Sequence, residues 1–272
     1  VSLIKRFSNQ TLCIGLNPEQ LSCVLRRGKV FAIDHAYLQT VSSPDGHWQP
    51  VLAACQAWLR EADRASAGLP LRFTLSSRWC RMMSVPWSDA LLSAPSAQRF
   101  LQTQFMSLYG DVARDWVVTC DDAPYGEPRM ACAIERDLLE ALQQAAAENM
   151  HPLHAIESVI PVAWRAIAAK DGRSDAIAVI EPGRITLARV RKRRLVALQS
   201  QPFLTSWQQE LPQAWQRWAL RDPELTGITE VAVLNLTGET ASATLPKPFH
   251  AVLLPSYGLA SGYSFITCGN GS

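Results

Sequence analysis

The stretch IGLNPEQLSCVLRRG, residues 14–28, decides how the rest of the chain is read. Apolar residues lie on either side of Asn17-Pro18-Glu19-Gln20, a cluster rich in turn formers. It therefore reads as strand, tight turn and strand, over residues 11–16 and 21–26. A third strand follows at 30–37, then the loop SSPDGHWQP and a helix over 51–66. In that helix Val51, Leu52, Cys55, Trp58, Leu59 and Ala62 recur at the spacing that buries one face. Gly68-Leu69-Pro70 stops it, and 71–76 returns to strand.

The same order of elements recurs from residue 176. AIAVIE (176–181), a turn at Pro182-Gly183, RITLARV (184–190) and LVALQSQ (195–201) are three strands in succession. A helix follows in which Trp207, Leu211, Trp215 and Trp218 share a face and Ser206 stands as the N-cap; Pro212 predicts a kink or a late start. EVAVLN (230–235) closes the second set. Between the copies lie a strand-like RWCRMMSVPW, a helix over 96–109 with Ala97, Leu101, Phe105 and Leu108 on one face, and strands at 115–120 and 129–134. A helix over 135–149, a strand over 153–159 and a crossing helix over 161–170 complete the pass.

A chain of 272 residues has room for about two domains, and an apolar fraction of 48% against 18% charged is that of a globular protein. The net charge of +2 makes no demand for nucleic acid. No apolar run reaches the length of a membrane span, and the start, Val1-Ser2-Leu3-Ile4-Lys5-Arg6-Phe7, lacks the core of a signal peptide, so the expectation is a cytoplasmic protein. Seven scattered cysteines without a C-x-x-C pair predict packing rather than disulfides or zinc. The five histidines are spread out, and no metal site is expected of them. The basic run ARVRKRR (188–194) reads as a solvated hairpin corner, and Asp121 and Asp122 as solvated turn residues.

Two copies of three strands, a helix and a strand describe an α/β chain of the actin-like ATPase fold, with duplicated ribonuclease H-like βββαβ domains and an inserted α+β subdomain. Within that superfamily the chain resembles the pilus assembly protein PilM and the cytoplasmic domain of the type II secretion protein GspL. The residues carrying the resemblance are SLIKRF and TLCIGLNPEQLSCVLRRGKV at the start, SVPWSDALL, YGEPRMACAIERDLLEAL and HPLHAIESVIPVAWRA in the middle, and PSYGLASGYS near the end. GspL proteins continue into a membrane span, which favours a PilM-type subunit for a chain ending at Ser272. The expected division is 1–78 for the first core with helix 161–170, 79–160 for the insert and 171–272 for the second core.

In this fold the two first-hairpin turns grip the phosphates of ATP across a cleft, and here they would be Asn17-Pro18-Glu19-Gln20 and Glu181-Pro182-Gly183-Arg184. Phosphate-gripping turns use glycine so that the backbone can approach the anion and aim N–H groups at it. Pro18 removes a donor and Glu19 sets a negative charge where phosphate would lie. The second turn keeps Glu181 and Gly183, as any tight hairpin also might, and where an adenosine loop would carry a Gly-Gly pair only Gly238 stands. Asn17, Glu181, Gly183 and Gly238 are thus the expected remnant of a nucleotide cleft, with no cofactor; Mg-ATP held by Glu181 and Gly183 is the alternative.

The resemblance implies a scaffold. PilM-like proteins hold the cytoplasmic N-terminal segment of a single-span membrane protein, PilN in pili, between the first core and the insert. They tie a secretion motor ATPase to the platform at the inner face of the inner membrane, so that membrane association comes through the partner. Met82, Met83 and Trp87 of RMMSVPW, with Phe105 and Tyr109 of the following helix, are the candidate walls of that groove, since methionine and aromatic surface adapts to a peptide.

Overall fold

The computed structural model describes residues 10–28, 30–61, 68–170, 174–238, 245–253 and 264–267. The first nine residues, 62–66 of the expected first helix, Cys268 and most of the 255–264 segment lie outside the described residues. The chain begins with the expected hairpin, β1 (Gln10–Asn17) and β2 (Gln20–Arg27), followed by β3 (Val30–Thr40), α1 (Gln49–Glu61) and β4 (Leu71–Leu75). Next come β5 (Cys80–Val85), α2 (Ala94–Tyr109), β6 (Trp116–Cys120), β7 (Arg129–Glu135), α3 (Arg136–Glu148), β8 (Leu153–Ser158) and α4 (Val159–Lys170). The second half holds β9 (Ala176–Glu181), β10 (Arg184–Arg191), β11 (Arg194–Pro202), α5 (Trp207–Ala219), β12 (Val231–Asn235), β13 (Phe249–Ala251) and a last turn, α6 (Ser264–Thr267).

The duplication is exact in topology. One five-stranded sheet runs β3-β2-β1-β4-β8 and the other β11-β10-β9-β12-β13. In each, the three-strand meander is antiparallel and the last two strands join it parallel, as strands reached by crossovers must. The central strands are covered on both faces and so read as continuous apolar runs; every residue of β9 is buried. The fifth strand of each sheet departs from the expectation. β8 pairs with β4, and Leu138, Leu142, Ala145 and Ala146 of α3 pack into the first core with α1. The insert is therefore β5 to β7 and the 79–160 boundary runs too far, because β8 finds its pairing partner on a strand it does not adjoin in sequence. β13, only three residues long, pairs with β12.

The insert is a three-stranded antiparallel sheet, β5-β7-β6. α2 covers one face, with Leu101 and Phe105 against Trp116, Val118, Ala131 and Ala133. Gly110 ends the helix at φ 76, where its N–H donates to Met106 O. Period-2 alternation along β7 sends the other face elsewhere: Met130 joins the core under α4, and Ile134 joins the first core. The insert is thereby packed over the junction of the two halves.

α4 crosses between them. Val159, Ile160, Val162, Ala163, Ala166 and Ile167 are buried, most of its surface being apolar as a helix enclosed between two sheets requires. Glu157 on β8 accepts Arg72 of β4 and Arg165 of α4, each at 2.8 Å, which ties the helix to the first sheet. α5 begins at Trp207 and continues past Pro212 without the expected late start. Ser206 sits at its N-cap position, but its hydroxyl donates to Gln208 Oε1 at 2.5 Å, and it is the Ser206 carbonyl that accepts the N–H groups of Gln209 and Glu210.

Candidate functional site

The two hairpin turns occupy equivalent positions. In each, the last residue of the first strand pairs with the first of the next, Asn17 with Gln20 and Glu181 with Arg184, leaving two-residue loops Pro18-Glu19 and Pro182-Gly183. Proline presets φ at the first loop position of both. Gly183 takes φ 68, the left-handed value a type II turn needs at its second position, and a Cβ there would meet no atom within 4 Å. The requirement on Gly183 is thus conformational, with no steric part.

The residues just before the loops are both buried and serve different ends. Asn17 is 2% exposed, and its Oδ1 accepts the N–H of Glu19 at 2.9 Å, an Asx turn that closes its own loop. Glu181 is 1% exposed, and its carboxylate reaches the opposite half of the molecule. There Ser77, just beyond β4, donates its N–H to both oxygens at 3.1 and 3.3 Å and its hydroxyl to Oε2. Burial pushes the Glu181 carboxyl above its usual value, and the bonds from Ser77 and Ser76 and the Arg184 charge oppose that shift without cancelling it. The position after β12 that corresponds to Ser77 is Thr237, whose N–H and hydroxyl both donate to Asn235 Oδ1. Gly238 follows at φ 81, exposed.

Of the residues expected to meet a partner, Met82, Met83 and Tyr109 line one cavity of about 490 Å³. It opens between β5 of the insert and β10 and β11 of the second core, whereas the resemblance implied a groove between the insert and the first core. Ser84 Oγ donates to Val196 O at 2.8 Å where the two sheet edges meet; the cavity lies where they separate, with Leu198, Gln199 and Ser200 on its far wall. β5 and β11 are both terminal strands, so each presents one row of backbone groups that its own sheet leaves unpaired. Leu108, expected on the buried face of α2, is 59% exposed at this wall.

Two of the expected wall residues are elsewhere. Phe105 is fully buried, stacked on Tyr109 at 6.2 Å and edge-on to Trp116, because it belongs to the stripe that binds α2 to its sheet. Trp87 lies against Tyr125 at 4.6 Å with the Arg129 guanidinium 5.7 Å over its ring, away from the cavity. Two residues that the sequence reading passed over, Ser77 and Arg81, do line the cavity, and Arg184 joins them from the second turn. The signal for Arg81 was a cation set between Cys80 and Met82 in an otherwise apolar strand.

The basic corner is paired. Lys192 and Arg193 form the β10–β11 loop at φ 51 and 60, as a type I′ turn requires. Glu127 of the insert accepts Lys192 at 3.1 Å, and Asp121 accepts Arg194 at 2.7 Å and the N–H of Met130 at 2.8 Å. Asp121 is therefore a bonded residue that fastens the insert to the second core, whereas Asp122 is exposed as expected. Buried His151 places Nδ1 2.9 Å from Leu69 O. Among the described residues no three histidine, cysteine or acidic side chains gather as metal ligands would, and no helix is long and apolar enough to cross a membrane.

Two sheets of identical strand order, with their first hairpins brought to one junction and a small α+β unit inserted after the fourth strand, define an actin-like fold. Solved structures agree. The PilM–PilN type IV pilus biogenesis complex matches with a TM-score of 0.63 at 12% identity, covering 96% of this chain and 97% of that one. The cytoplasmic domain of EpsL, an inner-membrane component of the Vibrio cholerae type II secretion system, matches with a TM-score of 0.58 at 10% identity, covering 95% and 93%. A Bacteroides thetaiotaomicron protein of actin-like ATPase fold and unknown function matches at 0.55 and 12%, covering 89% and 87%. At these identities the likeness is one of fold. No protein-family model and no curated protein matches the chain.

Proposed function

We propose that the chain is a non-catalytic, cytoplasmic scaffold of a type IV pilus or type II secretion platform, holding the cytoplasmic N-terminal segment of a PilN-like single-span protein. The observation that carries this reading is the cavity between β5 and β11, where two open sheet edges flank a space lined in part by Met82, Met83, Ile160 and Leu198. An extended segment ordering there finds backbone partners along a strand edge and pockets for alternate side chains. Two structures of the same fold, a pilus biogenesis complex and a secretion component, support the setting. Attachment to the membrane would come through the partner, and a secretion motor ATPase is the second partner this reading implies.

Absence of catalysis is supported by the turns. The one acid retained, Glu181, is buried and held by Ser77, and the first turn sets Pro18 and Glu19 where glycines would approach a phosphate. The test is co-purification of the full chain with the single-span membrane protein encoded beside it, followed by titration of that protein's N-terminal peptide. Failure of the peptide to bind, with and without Mg-ATP, sinks the reading. Calorimetric binding of Mg-ATP that Gly183→Ala or Glu181→Gln abolishes would replace it with the nucleotide-binding alternative.

A further inference from the structure

The cavity between β5 and β11 carries more information than its shape. Its lining includes two guanidiniums from different parts of the chain, Arg81 of β5 and Arg184 at the start of β10. Both side chains are half-buried. Among the described residues no carboxylate lies within ion-pair distance of either, and Arg184 Nη1 donates to Ser200 Oγ at 3.1 Å. Four other half-buried arginines have a carboxylate, Arg72 and Arg165 sharing Glu157, Arg189 meeting Asp222 and Arg194 meeting Asp121. Glu181, the acid whose charge acts on Arg184, is engaged by Ser77, and Glu135, the acid that acts on Arg81, accepts the Trp48 indole N–H at 2.9 Å. Burial lowers both arginine pKa values, and the Arg81 charge lowers that of Arg184 further, while Glu135 opposes the shift of Arg81 and Glu181 that of Arg184.

Like charges confined to a half-buried cavity favour an anion between them, and a planar guanidinium binds a carboxylate through two parallel charge-assisted bonds. The rest of the lining is mixed, with Met82, Met83, Leu108, Ile160 and Leu198 beside the hydroxyls of Ser77, Thr186 and Ser200 and the amide of Gln199. That pattern suits one negative group set among apolar neighbours; two guanidiniums fall short of the charge of a nucleoside triphosphate. Resting on the scaffold reading above, we infer that the segment seated between β5 and β11 presents an acidic side chain, aspartate or glutamate flanked by apolar residues, to Arg81 and Arg184.

The test pans the immobilised full chain with a library of short random peptides, keeping those whose binding the rim substitution Leu108→Glu weakens. Enriched peptides are expected to carry an aspartate or glutamate between apolar residues, and replacing that acid by its amide should weaken binding roughly tenfold. Arg81→Gln and Arg184→Gln should each erase the preference for the acid while leaving the affinity of the amide peptide unchanged, and Arg81→Lys should restore part of it. Where an arginine variant fails to fold, the composition of the wild-type pool still decides. Rim-sensitive peptides with no acidic preference overturn the inference and leave the docking groove standing, whereas recovery of no such peptide overturns it and speaks against the groove itself. Displacement of the peptide by Mg-ATP that Arg81→Gln abolishes would assign the guanidiniums to phosphate and overturn it as well. Co-purification with the membrane protein succeeds or fails independently of all three results.

Discussion

The two hairpin turns are the same length, begin their loops with proline and end equivalent strands, yet the side chain before the proline acts locally in one and at long range in the other. Asn17 closes its own loop through Glu19; Glu181 reaches Ser77 in the opposite half. The positions two residues earlier differ as sharply. Val179 in β9 is fully buried under α4, while its counterpart in β1 is Gly15, with α6 seated against it. A duplicated backbone has thus been divided into one half that finishes its turn internally and one that reaches across the junction. A direct bond between Glu181 and Ser77 therefore bridges the two halves.

The largest way to break this division is to make the copies alike at Gly15. A Cβ there would lie 2.6 Å from Ser22 Oγ, 2.7 Å from Ile266 Cγ2 and 3.0 Å from Phe265 Cδ1. Gly15→Val should cost about 3 kcal/mol, read from the urea midpoint, because strand and helix must separate to admit it.

Ser77→Ala comes next, at about 2 kcal/mol, since it strips the hydroxyl donor from a buried carboxylate. Combined with Glu181→Gln it should be non-additive, whereas combination with Asn17→Ala, which costs about 1 kcal/mol by itself, should add. Additivity in the first pair would mean that the contact across the junction carries no energy. Gly183→Ala should also cost about 1 kcal/mol, all of it from the left-handed backbone. Glu19→Ala, in the other turn, should be near neutral.

One effect appears only in pH. The folded state holds the Glu181 proton more tightly than the unfolded chain does, so this contribution to stability is full below the ordinary value of 4.5 and is lost as pH rises through the raised one. The Tm of Glu181→Gln relative to wild type should therefore climb with pH above 4.5 and level off beyond the raised value. A flat difference would show that the carboxyl is not shifted.

The repeat was legible because it is written in periodicity: alternating strands, an apolar stripe in each helix, and turn formers between them. The fifth strands were less so. β13 is three residues long, and β8 joins the first sheet through β4, far away in sequence. The bond between Ser77 and Glu181 was illegible for the same reason, since a serine gives no local sign of a carboxylate 104 residues away. The partner surface was half legible. Methionines in an edge strand and a tyrosine at a helix end did mark the cavity, but Phe105 shares the stripe that anchors α2, and no pattern in one segment tells an anchoring aromatic from an exposed one. The cations of the cavity were illegible, because a half-buried charge without a carboxylate stands out only once its surroundings are known.

α6 gives the fold an order in time. Ile266 completes the small core of Cys13, Val24 and Phe31 on the outer face of the first hairpin, and Phe265 completes the core around α4. Gly15 leaves the ribosome roughly 250 residues before the segment that covers it, a delay on the order of tens of seconds at cellular rates of synthesis. β1 and β2 are then sealed long after they are made. Until α6 arrives the nascent chain carries an apolar strand face that a chaperone could shield or another nascent chain could capture.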